Sequence, residues 1–240
     1  MSYIYATAYL TIAASAANHS SIRFLIPRRY PTLSLTLRLP RSSRDHVIHI
    51  RRRLLSGENL RPLDTRGWAF QERILSRNTV RFSNREIEWE CRSQSTCECG
   101  TSYRSTSQYT QFTEENVYSW WHLVIVTHFS FLDLTQEMDI LPALSGIASS
   151  MKNQTGDDYL ARIWKKDLIP GLLWCYEPRT SASLFTLSGA ELPSSYRAPS
   201  WSWASATAQV AYIFYRTQFE LHVEVLGAHA SHQQQIPRDV

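Results

Sequence analysis

Pro62–Cys91, PLDTRGWAFQERILSRNTVRFSNREIEWEC, decides how this 240-residue chain is read. Set on a helix at about 100° per residue, Thr65–Ser76 places Phe70, Ile74, Gln71, Leu75 and Trp68 on one continuous arc. Arg66, Arg73 and Ala69 fall opposite. Pro62 precedes the helix, and Asp64 or Thr65 is placed to cap its free N–H groups. Gln71 stands in the middle of the apolar arc and Glu72 at its edge. A buried amide costs about 1–3 kcal/mol unless its hydrogen bonds are met, so Gln71 is either a structural bridge to backbone groups or part of a site.

The residues that follow have period two. Thr79–Ser83 and Glu86–Glu90 flank Asn84-Arg85, a two-residue turn. That register pairs Val80 with Trp89 and Phe82 with Ile87 on one face. Arg81 meets Glu88 on the other, beside Glu86 and Glu90. Three alternating glutamates could mark a cation site, but a solvated strand face with an arginine partner is the plainer expectation.

RGWAFQERILS followed by RFSNREIEWEC resembles the third conserved block of the fungal heterokaryon-incompatibility (HET) domain family. IYATAYLTIAAS looks like the end of the region preceding that block. DILPALSGIASSM, DDYLARIWKKDLIPGLLWC and YRAPSWSWAS look like sequence downstream of the domain. The matches run in family order and cover most of the chain. The resemblance implies an α+β fold: a partial TIR-like HET-domain remnant, helix plus β-hairpin, over residues 1–100. A mostly helical downstream region with a terminal strand pair would follow over 101–240. Two earlier family blocks, of the Ser-Tyr-Cys-Trp-Gly and Trp-Ile-Asp…Cys-Ile-Asn-Gln types, are not present, which implies an amino-terminal truncation. The family usually has Ala-Gly-Leu-Trp where this chain has Ala161-Arg162-Ile163-Trp164.

The family implies a cytoplasmic protein of non-self recognition linked to programmed cell death, acting with protein partners, with no cofactor and without independent catalysis in this form. Some TIR relatives cleave NAD. The enzymatic alternative is therefore a nucleotide-cleaving activity in which Glu72 stabilises an oxocarbenium-like transition state, with Arg66, Trp68 and Gln71 around it. A third alternative is a degenerate fragment or association module that uses a sheet edge left open by missing strands.

Composition agrees with a globular chain: 43% hydrophobic and 12% aromatic. No apolar run approaches the roughly 20 residues a membrane span needs, and the start lacks the basic region of a signal peptide. Residues 1–62 carry ten Arg against Asp45 and Glu58, while the rest carries fifteen Lys+Arg against nineteen Asp+Glu. The basic part has little aromatic interleaving, so nucleic-acid binding is not expected. A surface loop with a strand near Val47–Ile50 is, its arginines meeting the acidic hairpin face.

Further expectations concern single elements. Leu10–Ala14 reads as a strand after a last helical turn. Cys91, Cys97 and Cys99 could hold zinc with a histidine, but Cys-x-Cys spacing is wrong for a knuckle, so buried thiols in a reducing compartment are the default. Glu114–Phe129 is a buried helix with packed His122 and His128. Thr135 can cap a helix, and Pro142 opens one whose inner face is Leu144, Ile147, Ala148 and Met151. Asp157–Trp164 and Asp167–Cys175 read as two short helices. Trp201 and Trp203 would share one side of a strand, and Gln209–Tyr215 with Phe219–Leu226 a terminal strand pair.

Overall fold

A computed structural model describes residues 2–23, 25, 32–40, 44–51, 61–84, 86–98, 100, 102–103, 113, 115–134, 136–176, 196–212 and 222–228. The Arg85 half of the hairpin turn, Cys99, the Thr135 cap, the terminal-strand residues 213–221 and the tail 229–240 lie outside them, as do most of the loops 101–113 and 177–198.

Helix α1, Ser2–Thr7, leads into strand β1, Thr11–Ala13. Strands β2, Thr32–Arg38, and β3, Asp45–Arg51, form an antiparallel pair of their own. A 3₁₀ turn, Pro62–Thr65, then delivers the chain to α2, Gly67–Leu75. Strands β4, Asn78–Phe82, β5, Ile87–Cys91, β6, Ser95–Cys97, and β7, Ser102–Tyr103, complete a sheet of order β1-β4-β5-β6-β7. Strands β1 and β4 run parallel, and the other neighbours in this sheet are antiparallel. A parallel pair needs a crossover, and α2 lies within the one that joins them.

The β4–β5 register is the expected one, with Val80 opposite Trp89, Arg81 opposite Glu88 and Phe82 opposite Ile87. Its orientation is the reverse of the expected one. Thr79, Arg81, Ser83, Glu86 and Glu90 are the buried side chains, while Val80, Phe82, Ile87 and Trp89 are half-buried. The glutamate face is therefore an interior polar layer, not a solvated one. The reason is α2. Its apolar residues face other helices, and the Arg73 side that was expected opposite the core lies over the sheet. Arginine partners for the glutamates are present, Arg61 on Glu88 and Arg73 on Glu90, while Arg81 pairs with Asp64.

In the second half, α3, Val117–Trp120, runs through a π-helical segment, Trp121–Val126, into α4, Thr127–Phe129. A 3₁₀ turn, Glu137–Ile140, precedes α5, Pro142–Thr155, which Pro142 opens and Gly156 ends in a left-handed conformation (φ 63°). Leu144, Ile147, Ala148 and Met151 are buried as the periodicity requires. Strands β8, Tyr159–Leu160, and β9, Ile163–Trp164, form a tight hairpin where a helix was expected. Ala161 and Arg162 both have positive φ, 46° and 81°, the backbone of a two-residue hairpin turn that no helix tolerates.

Only the second expected helix survives, shortened to α6, Leu168–Leu172. Strand β10, Cys175–Tyr176, pairs with β11, Val210–Ala211, so the terminal strand finds its partner upstream; residues 222–228 form no strand. Trp203 and Trp201 part company, because Trp203 begins a 3₁₀ turn rather than continuing a strand. Trp203 is buried and donates Nε1–H to the Arg162 carbonyl at 3.0 Å, whereas Trp201 is exposed.

The apolar core draws on both halves of the chain. Phe70 of α2 joins Trp120, Trp121, Ile125, Leu144 and Trp164 in one cluster of buried side chains. The chain is an α+β protein. Among the described residues no helix is long and apolar enough to cross a membrane.

Candidate functional site

Helix α2 carries Trp68, Gln71 and Glu72, and the fourth expected site residue, Arg66, is its N-cap; most of the polar side chains here have a distant partner. At its start the Gly67 N–H donates to the Asp133 carbonyl at 3.0 Å. A Cβ at Gly67 would lie 2.5 Å from Leu134 Cδ2, so a larger residue there would have to displace the end of the Leu134 side chain. Trp68 donates Nε1–H to Asp139 Oδ2 at 3.0 Å. Phe70 stacks on His128, with centroids 5.4 Å apart and planes at 22°. The buried Gln71 accepts the Gly146 N–H on Oε1 at 2.8 Å, which fulfils the bridging alternative.

Glu72 is half-buried and accepts from the Tyr5 hydroxyl of α1. Arg73 forks onto Glu90 through two 3.0 Å hydrogen bonds. Neither expected cap is used. Asp64 instead receives Arg81 and lies 3.7 Å from Arg61, and the Thr65 hydroxyl donates to the Pro62 carbonyl at 3.1 Å.

The electrostatics follow from this burial. Loss of hydration raises the Glu72 carboxyl, and the Tyr5 hydrogen bond and the Arg66 charge partly offset it. Tyr5 is pushed up to about 12 by burial and then by the Glu72 charge. Burial lowers His128, and the Arg73 charge lowers it further.

The four sequence-predicted site residues do not converge on one site. Glu72 lines a cavity of about 40 Å³ beneath the sheet, with Asp64, Arg73, Thr79 and Arg81. That is room for one or two waters. Arg66 and Trp68 instead line a groove of about 350 Å³ on the outside of the 3₁₀ turn, with Asn18, Thr65, Asp133 and Leu134. The groove has the size of a small-ligand site, where pockets start near 300 Å³. Its charged side chains, Arg66 and Asp133, are both exposed. Gln71 opens to neither space. The cavity beside Glu72 is far smaller than a nucleotide.

Cys97 is disulfide-bonded, against the expectation of buried thiols, while Cys91 and Cys175 are half-buried thiols. Among the described residues no group of three or more His, Cys, Asp or Glu side chains is placed to hold a metal.

Sequence reasoning missed a second polar cluster. His122, in the π-helical segment, is 2% exposed and sits 3.3 Å from Asp167 Oδ2 through Nε2. Asp157, Tyr118 and Tyr212 surround this pair. Asp157 and Asp167 stand at the edges of apolar runs, a position that ordinarily means a cap, so nothing in their spacing announces a buried cluster.

No protein-family model, curated protein or solved structure matches the chain.

Proposed function

We propose that this chain is a heterokaryon-incompatibility-type recognition protein, working in the cytoplasm of a filamentous fungus in non-self recognition linked to programmed cell death. It acts with protein partners and has no catalysis of its own. One observation carries the reading. The separate stretches that resemble the family interlock in space: Trp68 and Gln71 of RGWAFQERILS bond to Asp139 and Gly146 of DILPALSGIASSM. In the same way Trp203 of YRAPSWSWAS bonds to Arg162 of DDYLARIWKK. Residues that match in family order and then close on one another behave as one co-folded unit. The parallel β1–α2–β4 crossover supports a TIR-like origin for the sheet.

The association reading rests on β1. It is an edge strand with no partner on its outer side among the described residues; Ile12 stands exposed on it, and Tyr9 and Leu10 are exposed just before it. Tyr9–Ala13 carries neither a charge nor a proline to block another strand. An extended segment of a partner protein is the occupant this edge would take.

Expression of the chain in a filamentous fungus tests the proposal. Growth arrest with uptake of a vital dye is the expected result, weakened by Gln71→Ala. Normal growth at a verified level of folded protein would overturn it. Incubation of the purified chain with NAD addresses the enzymatic alternative. No turnover is expected, and turnover abolished by Glu72→Ala would transfer the function to that residue.

A further inference from the structure

The His122–Asp167 pair has no part in the reading above. His122 projects from the π-helical segment, a helix type found frequently at functional sites. Its ring stacks on Tyr212, with centroids 4.1 Å apart and planes at 15°. The Asp167 side chain is 13% exposed and lies at the end of the 3₁₀ turn Lys165–Asp167 that leads into α6.

The neighbouring donors are committed elsewhere. The Tyr118 hydroxyl donates to Asp157 Oδ2 at 2.8 Å, and the Asp158 and Lys166 amides also donate to Asp157, at 2.8 Å and 3.1 Å. Lys166 Nζ reaches the Thr155 carbonyl, and both lysines are exposed. The Tyr212 hydroxyl points to the Gly171 carbonyl at 3.4 Å. Asp157 thus takes these three donors. Asp167 Oδ2 is buried and accepts from no donor among the described residues, and His122 Nε2 lies 3.3 Å from it.

Four protonation states are open to such a pair. Two protons leave a buried imidazolium facing an uncharged Asp167, and none leaves a buried carboxylate beside Asp157. One proton satisfies both. We propose that Asp167 holds that proton and donates it to Nε2 of a neutral His122, so that the two titrate as one unit that latches residues 165–172 beneath the π-helical segment. Burial works in the same direction: it lowers His122 to about 3 and, with Asp157 adding to it, raises Asp167 to about 7.

The unit compensates itself. In an unfolded chain between about pH 4 and pH 6.5 the same two residues also carry one proton, on the histidine. Folding then changes no proton count, and the latch adds no slope to stability over that range. Above about pH 7 the folded pair loses its proton, and the Asp167 charge faces Asp157.

Removing either partner should expose the hidden slope of the other, with opposite sign. Asp167→Asn leaves a histidine lowered on folding, so stability relative to the parent should rise from pH 4.5 to pH 6.5. His122→Gln leaves a carboxyl raised on folding, so relative stability should fall over the same range. Each slope is at most tenfold in the unfolding constant per pH unit. Urea unfolding of the parent and both variants across this range reads it, and parallel profiles for all three would overturn the proposal. ¹⁵N NMR of the parent alone gives a second measurement if a variant does not fold. His122 should show a neutral ring protonated at Nδ1 at pH 6. An imidazolium signal there would put the proton on the wrong partner and end the argument.

Discussion

Gln71 Oε1 accepts the backbone N–H of Gly146 at 2.8 Å, and a Cβ on Gly146 would come within 2.9 Å of that same oxygen. A side chain of α2 thus hydrogen-bonds into the middle of α5, 75 residues away, through a gap that only glycine leaves open. The same added carbon would meet Ser2 Cβ of α1 at 2.4 Å. Three helices meet at one point, and the bond stands where bulk is excluded.

Gln71→Leu should therefore cost more than its polarity alone implies. It removes an acceptor from a buried N–H, for which about 1–3 kcal/mol is the ordinary range, and the branched chain must fit the space the amide occupied. Gly146→Ala should be at least as harmful, because Ser2 or α1 itself has to move. Chemical denaturation of both variants checks this. A loss below about 0.5 kcal/mol in both would mean that the helices do not pack as described.

The polar layer under the sheet makes a second prediction. Arg73 and Glu90 are paired through two hydrogen bonds, and Glu90 is 7% exposed. Truncation of Arg73 to Ala strands a buried carboxylate, and on the order of 3 kcal/mol is expected to be lost. A solvated strand face would lose under about 1 kcal/mol, the usual worth of a surface pair. Arg73→Ala and Glu90→Gln, each measured by urea unfolding, separate the two pictures.

What was legible in the sequence followed period and turn chemistry. The β4–β5 register came from alternation about Asn84-Arg85, and the inner face of α5 from apolar spacing after Pro142. Which face of β4 and β5 turns inward was not legible. Alternation defines two faces, and packing alone chooses between them. Here the choice falls to α2, whose apolar side is already engaged by Gly146, Phe129 and their neighbours. Gln71 could be read as a bridge or a site residue, and only a partner in space decides that. The β8–β9 hairpin was hidden because its turn residues, Ala161 and Arg162, carry none of the usual turn signals.

His128 supplies a pH dependence. It stacks on Phe70, and both burial and Arg73 lower it from the ordinary histidine value. Such a group binds fewer protons folded than unfolded, so its contribution is complete above about pH 6.5 and is lost as pH falls below that toward its folded value. His128→Phe keeps the ring stack and removes the proton site. The variant should lose less stability than the parent between pH 6.5 and pH 5, as read by thermal melts. An equal loss in the two proteins would show that His128 does not resist protonation in the folded state.

Arg162 is the residue at which a substitution should improve the protein. Its φ of 81° lies where a Cβ is strained by about 1–2 kcal/mol, and glycine is not. The residue is 9% exposed, its Nε is buried without a hydrogen-bond partner, and loss of hydration lowers its affinity for the proton it must keep. Its carbonyl, by contrast, is needed, because it receives Trp203 Nε1–H, and glycine retains that carbonyl. Arg162→Gly therefore removes backbone strain and a buried charge while it preserves the bond between the hairpin and the 3₁₀ turn at Trp203. The greater freedom of glycine in the unfolded chain subtracts about 0.5–1 kcal/mol. The net expectation is a gain of about 1 kcal/mol, seen as a higher urea midpoint with an unchanged slope. Arg162→Ala serves as the control. It removes the charge but keeps the strain, so it should fall short of glycine. If alanine matched glycine, the cost of Arg162 would lie in its side chain and not in the turn.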